Sequence, residues 1–175
     1  MDAYLMRLLL KNLIRYHCLK LGQFVLVCGE TSSYYYDLKS IMFDGPTLNM
    51  ISELLLREVD RFDVKSVGGM GLGAGPLISA VALKGNMKGF YIRKKAKQNG
   101  IGKRVEGHFE PPALVLDDVI NNGNSVMKAI DIIGRRYIAG VVCIVDREVD
   151  ENLLQQNGIK YYSLFKHSDF AAQLQ

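Results

Sequence analysis

Cysteine is scarce. Cys18, Cys28 and Cys143 are the three in 175 residues, an odd number with no CxxC pair. Such spacing excludes a disulfide framework and a thiolate zinc site, and leaves buried free thiols as the expectation. His17, His108 and His167 show no metal-ligand spacing, and the chain offers no Ser/His/Asp or Cys/His arrangement for nucleophilic catalysis. Long apolar runs are missing too. No uninterrupted stretch reaches the roughly 18 residues that a membrane span needs, and the start MDAYLMRLLLKNLIRY carries charges throughout instead of a cleavable apolar segment. A cytoplasmic chain without a membrane partner is expected. There is no internal repeat, no low-complexity tract and no Pro/Gly/Ser linker long enough to divide domains. With 49% apolar and 23% charged residues, disorder, collagen and coiled coil are excluded. One domain spanning 1–175 is expected, a size at which roughly 70% of the unfolded chain's surface can be buried.

What is present alternates. Residues 3 to 20 have helical spacing, with Leu5, Leu8, Leu9, Leu13 and Ile14 on one side and Arg7, Lys11 and Arg15 on the other. FVLVCG at 24 to 29 and SYYYDLK at 33 to 39 read as two short strands, and Pro46 suits the first turn of a helix running to about Arg61. Thereafter VKSVGG, GFYIR, ALVLDD, AGVVCIVDR and KYYSLF read as strands. GPLISAVALK, NSVMKAIDIIGRR, a short segment near 151 to 157 and the C-terminus read as helices. Continuous apolar strands alternating with helices specify an α/β fold with a mostly parallel sheet covered on both faces. The expected layout is an N-terminal helix and hood over residues 1–45 and an α/β core over 46–175. Ligands of such sheets bind at the carboxyl ends of the strands. GMGLGAGP, RKKAKQNG, DDVINNGNS and DREVD each follow a strand, so all four should line one crevice.

The stretch LVLDDVINNGNS at 114 to 125 is the most informative of these. Two adjacent carboxylates at a strand's end are costly to bury unpaired, so Asp117 and Asp118 should face solvent or a polar ligand. The small polar turn Asn121-Asn122-Gly123-Asn124-Ser125 can wrap backbone amides around an anion, and the following helix aims its positive end at the same place. Anion cradle and acids together suit a sugar phosphate, the acids accepting from hydroxyls or holding hydrated Mg²⁺. The same pattern is also met in ordinary strand-to-helix turns.

Charge is concentrated in one segment. Arg93, Lys94, Lys95, Lys97, Lys103 and Arg104 lie within residues 93 to 104, and without them the net charge of +4 would be −2. A nucleic-acid binder more often spreads cations along a face, so nucleic acid is not the expected partner. Taken alone a charge run is a solvated loop. Placed after a strand and opposite the acidic motif, with glycines at 100, 102 and 107, it suits a cationic flap that neutralises departing charge. Lys97 is then the group expected to meet the leaving anion, and Arg93 and Lys94 should hold phosphate oxygens.

Residues 114 to 126 resemble the signature of type I phosphoribosyltransferases. FVLVCGETSSYYYD, GMGLGAGPLISAVAL, YIRKKAKQNG and AGVVCIVDRE are similar, in the same order over roughly residues 20 to 150, to segments of the orotate phosphoribosyltransferases. The resemblance implies synthesis of orotidine 5′-monophosphate and pyrophosphate from orotate and phosphoribosyl pyrophosphate. It implies that Asp117 and Asp118 contact the ribose hydroxyls, that residues 121 to 125 bind the 5′-phosphate, and that Arg147 contacts orotate. Tyr35 and Tyr36 would fall near the base-binding wall. Mg²⁺ would be held mainly by the substrate rather than by a protein cage, and the enzyme would be a homodimer. The sequence departs from the family pattern at Val27 (usually Lys), at Gly73 (Lys in many members), at Asn99 (commonly His) and in the Asn121–Asn124 turn (usually Thr and Gly). Two rival readings use the same motifs: a phosphoribosyltransferase for another base, and a ligand-sensing or RNA-binding regulator on the same fold.

Overall fold

The leucine-rich N-terminus forms α1 (Ala3–Arg15), which buries Leu9 and Leu13. The computed structural model describes residues 3–25, 29, 31–95 and 104–171. α1 stops short of the expected residue 20, because His17 takes a left-handed φ of 51° and turns the chain into β1 (Leu19–Val25). β1 pairs antiparallel with β2 (Thr31–Tyr36), Leu19 lying opposite Tyr36 and Val25 opposite Thr31. Both strands begin earlier than their expected positions at 24 and 33. Their side chains are largely exposed, so apolar patterning carries little register information there. The next turn folds into a short helix that the sequence did not announce, α2 (Lys39–Met42), anchored by buried Leu38, Ile41 and Met42.

α3 (Gly45–Val59) starts where Pro46 implied, with the Asp44 carboxylate accepting from the Thr47 N–H at 3.0 Å. Strand and helix then alternate through β3 (Ser66–Met70), α4 (Ala74–Lys84) and β4 (Lys88–Ile92). The short strand β5 (Val105–Gly107), unforeseen within the basic region, precedes β6 (Ala113–Ile120) and α5 (Asn124–Ile133). α5 ends before the expected Arg136, because Gly134 with φ 99° leads into a 3-10 turn at Arg135–Tyr137. β7 (Ile138–Asp146), α6 (Leu153–Gln156), β8 (Tyr161–Lys166) and α7 (His167–Ala171) complete the described chain. Among the described residues no helix is long and apolar enough to cross a membrane.

The core sheet has the order β5-β4-β3-β6-β7-β8, parallel throughout except that β5 runs antiparallel beside β4. Alternation along each strand feeds two separate apolar layers. Leu114 and Leu116 of β6 and Val142 and Ile144 of β7 pack in the layer containing α3 and α4, whereas Val115, Val141 and Cys143 pack in the layer containing α5. Both free thiols in the described residues, Cys18 and Cys143, are buried. The chain winds outward from β3 through α4 to β4 and, in the other direction, from β6 through α5 to β7. Adjacent β3 and β6 therefore send α4 and α5 to opposite faces, and the crevice opens where they part.

Gly140 on β7 leaves no room for a side chain: a Cβ there would meet the Phe62 ring and the Lys160 carbonyl. Gly140→Ala should lower stability by about 1–3 kcal/mol, the usual cost of overpacking. The urea midpoint should fall at unchanged slope. A midpoint equal to wild type would show that Phe62 moves aside without cost.

Candidate functional site

β6 continues past its two acids to Ile120, so neither acid caps the strand. Adjacent residues of a strand point to opposite faces, and this separates two carboxylates that the sequence suggested would both face outward. Asp117 is only 9% exposed, on the layer of Cys143, and burial first and the charge of Asp118 second push its pKa well above the ordinary carboxylate range. Asp118 lies half-buried toward α4. Its backbone N–H donates to Asp117 Oδ1 at 3.0 Å. The turn before α4 is shaped to this acid: a Cβ on Gly73 would strike the Asp118 carboxylate.

Beyond β6 the chain makes the expected polar turn. Gly123 adopts φ 86°, a left-handed conformation that suits glycine, and no side chain caps the start of α5. Past Asn124, whose N–H is taken by Asn122, the first turn of that helix presents N–H groups and positive dipole to the cleft. Asn122 stiffens the turn, accepting from the Asn124 N–H at 3.2 Å and, through its carbonyl, from Leu153 N–H at 2.9 Å. Asn121 lines the same cleft and also holds Arg147: its Oδ1 accepts from Arg147 Nη1 at 2.9 Å.

Arg147, one residue past β7, is 8% exposed. Its Nη2 donates to Ser32 Oγ of β2 at 2.8 Å, and the guanidinium lies 4.3 Å over the Tyr34 ring. Its Nε is buried and has no hydrogen-bond partner among the described residues. Tyr34 stacks in turn on His167 at 4.1 Å and 11°, and His167 Nδ1 is 2.8 Å from the Tyr36 hydroxyl. Burial first, then the Arg147 charge, lower the pKa of His167, which keeps the ring neutral beside the arginine. Sequence reasoning gave Ser32, Tyr34 and His167 no part in the site. The alternation of β2 could have flagged Tyr34, but nothing local marks His167, which comes from the last helix.

These groups line one cleft of about 510 Å³, which brings together Tyr35, Tyr36, Asp117, Asp118, the turn 121 to 125 and Arg147. Lys39 of α2, absent from the sequence-based set, also lines it. Arg93 and Lys94 do not. Arg93 Nε donates to Glu106 Oε1 at 2.8 Å, across β4 and β5, and the Lys94 stem lies over the Gly71 turn, its Cε 3.5 Å from where a Cβ would sit. Lys97, Val27 and Asn99 lie outside the described residues. Among the described residues no group of three or more His, Cys, Asp or Glu side chains could hold a metal ion.

Comparison with known proteins finds orotate phosphoribosyltransferases. An orotate phosphoribosyltransferase of Aquifex aeolicus is 37% identical over 175 residues, covering 91% of this chain and 94% of that protein. One from Pyrococcus abyssi is 34% identical over 169 residues, 92% of each. The crystal structure of orotate phosphoribosyltransferase from Aeropyrum pernix matches with a TM-score of 0.80 at 26% identity, over 95% of this chain and 98% of that one. No protein-family model matches the chain.

The raised pKa of Asp117 sets a pH dependence. A carboxyl that holds its proton better folded than unfolded supports the fold at low pH, and this support is lost as pH rises from the ordinary carboxylate range through the raised value. Asp117→Asn keeps the acceptor for the Asp118 N–H and removes the charge. The variant should be more stable than wild type at about pH 8, on the order of 1–2 kcal/mol, with the gap closing toward about pH 4. Urea titrations at the two pH values read the difference; a gap that does not narrow at low pH would mean that the Asp117 charge is not strained.

Proposed function

The chain belongs to the orotate phosphoribosyltransferase family, and from that premise we propose how its own residues carry the reaction. Its fold is that of the type I phosphoribosyltransferases. The enzyme transfers a phosphoribosyl group from phosphoribosyl pyrophosphate to orotate, releasing pyrophosphate and forming orotidine 5′-monophosphate for pyrimidine biosynthesis. One observation supports the assignment of roles most: a buried arginine, preset by Ser32, Asn121 and Tyr34, shares a cleft with an uncapped helix start, and two acids lie in the same cleft.

In this reading the 5′-phosphate rests on the amides at the start of α5, and Asp118, with Asp117 behind it, takes the ribose hydroxyls. The orotate carboxylate meets the Arg147 guanidinium through N–H groups that Asn121 and Ser32 do not take. Tyr35 and Tyr36 flank the ring. An orotate nitrogen then attacks the anomeric carbon as the bond to pyrophosphate breaks. The transition state has oxocarbenium character, and fixing both ends of the substrate supplies most of the rate through positioning. Lys97, with Arg93 and Lys94, would meet the departing diphosphate once Arg93 leaves Glu106. Asp118 is the open carboxylate that suits the water shell of a Mg²⁺ carried on the substrate, an ion that would offset diphosphate charge. On the family resemblance we also read the enzyme as a cytoplasmic homodimer that works on small molecules and not on nucleic acid.

The test is direct: with phosphoribosyl pyrophosphate and Mg²⁺, orotate absorbance should fall in step with pyrophosphate release, and uracil or adenine should not substitute. Arg147→Ala should raise KM for orotate by roughly 10²-fold, the scale of lost charge-assisted hydrogen bonds, and change KM for phosphoribosyl pyrophosphate little. Equal rises in both would remove Arg147 from the base site. Lys97→Ala should lower kcat and kcat/KM together by on the order of 10²-fold without loss of stability. Unchanged turnover would make the basic segment a solvated loop.

A further inference from the structure

We propose that Lys39 is a further substrate contact, its ammonium holding the diphosphate of phosphoribosyl pyrophosphate, and the pyrophosphate product, on the Asp118 side of the cleft. The proposal rests on the phosphoribosyl reading of the site and adds a residue from the hood to it.

Three observations carry it. Lys39 lines the cleft in a half-buried position and is aimed by its helix, because the neighbouring Leu38, Ile41 and Met42 are buried in the core and fix α2 in place. Its Nζ donates to the Tyr35 hydroxyl at 3.3 Å and lies 5.7 Å from the centre of that ring, both neutral partners. It forms no ion pair among the described residues, whereas exposed Lys20 takes the carboxylate of Asp37 at 2.8 Å. A cation withdrawn partly from water and held by a neutral hydroxyl leaves its charge to be met by something entering the cleft.

The electrostatics name the side. Burial works against the charge of Lys39, but the Tyr35 hydrogen bond and the field of Asp118 outweigh it and lift its pKa, so the group stays charged at neutral pH. Lys94, over the Gly71 turn, is a weaker influence on Asp117, favouring its charged form against the larger effect of burial. Two cations from different parts of the chain thus bracket the acid pair. Arg147 has its own seat at Ser32 and Asn121, where an orotate carboxylate is already served. An anion beside Asp118, between hood and Gly71 turn, is the diphosphate.

Lys39→Gln keeps length and a donor for Tyr35 but removes the charge; Lys39→Arg keeps the charge. Calorimetric titration with phosphoribosyl pyrophosphate, Mg²⁺-pyrophosphate and ribose 5-phosphate separates the diphosphate from the rest of the ligand. Lys39→Gln should weaken the first two by about 10-fold, the scale of one charged hydrogen bond, leave ribose 5-phosphate and the KM for orotate unchanged, and be rescued by Lys39→Arg. Equal weakening of ribose 5-phosphate would make Lys39 a packing residue, a selective rise in the orotate KM would make it a base contact, and no change would remove it from the site; each overturns the proposal. Wild-type protein that binds neither phosphoribosyl pyrophosphate nor ribose 5-phosphate would overturn the underlying reading as well.

Discussion

A β-strand must alternate its side chains, and at the end of β6 that rule acts on two consecutive carboxylates. One goes inward and one stays at the mouth of the cleft. Desolvation of Asp117 is the cost of the arrangement, and its surroundings reduce it: Asp117 accepts from the Asp118 amide and feels the Lys94 charge. The space for Asp118 comes from Gly73 at the end of the neighbouring strand. Acid, glycine turn and helix start therefore form one unit, imposed by pairing β3 beside β6 and sending α4 and α5 to opposite faces.

Arg147 joins this unit to the hood. Its neighbours come from four parts of the chain: Ser32 and Tyr34 of β2, Asn121 after β6, the strand end of β7, and His167 of α7 behind Tyr34. All of these partners are uncharged. A buried guanidinium surrounded by neutral acceptors keeps its positive potential for a ligand instead of spending it on a fixed carboxylate. Of the two acids that flank it in sequence, Asp146 is occupied by the Tyr161 hydroxyl at 2.9 Å and the Glu148 N–H at 2.9 Å, and Glu148 accepts from the Ser168 N–H at 2.8 Å.

The parts of this architecture that sequence revealed are those where chemistry is repeated locally. Continuous apolar runs at β6 and β7 announced a doubly covered sheet, and strand ends followed by Gly, Asn and charge announced the crevice. The hood strands were misplaced because their exposed side chains leave register to the turn and to the core. Neither Lys39 nor His167 could be found by motif, since each reaches the cleft through the packing of a short helix. Arg93 illustrates the reverse case. Its place in a basic run suggests a phosphate contact, and the unforeseen β5 adds a protein partner, Glu106, that the run itself does not show. The role of Asn121 at Arg147 could not be read locally either, because its partner lies 26 residues further along the chain.

The contact between Gly73 and Asp118 also constrains how such a sequence can change over generations. Any side chain at position 73 must displace the Asp118 carboxylate, so a mutation there is felt first at the acid. The two positions, 45 residues apart in the chain, thus behave as a single inherited character.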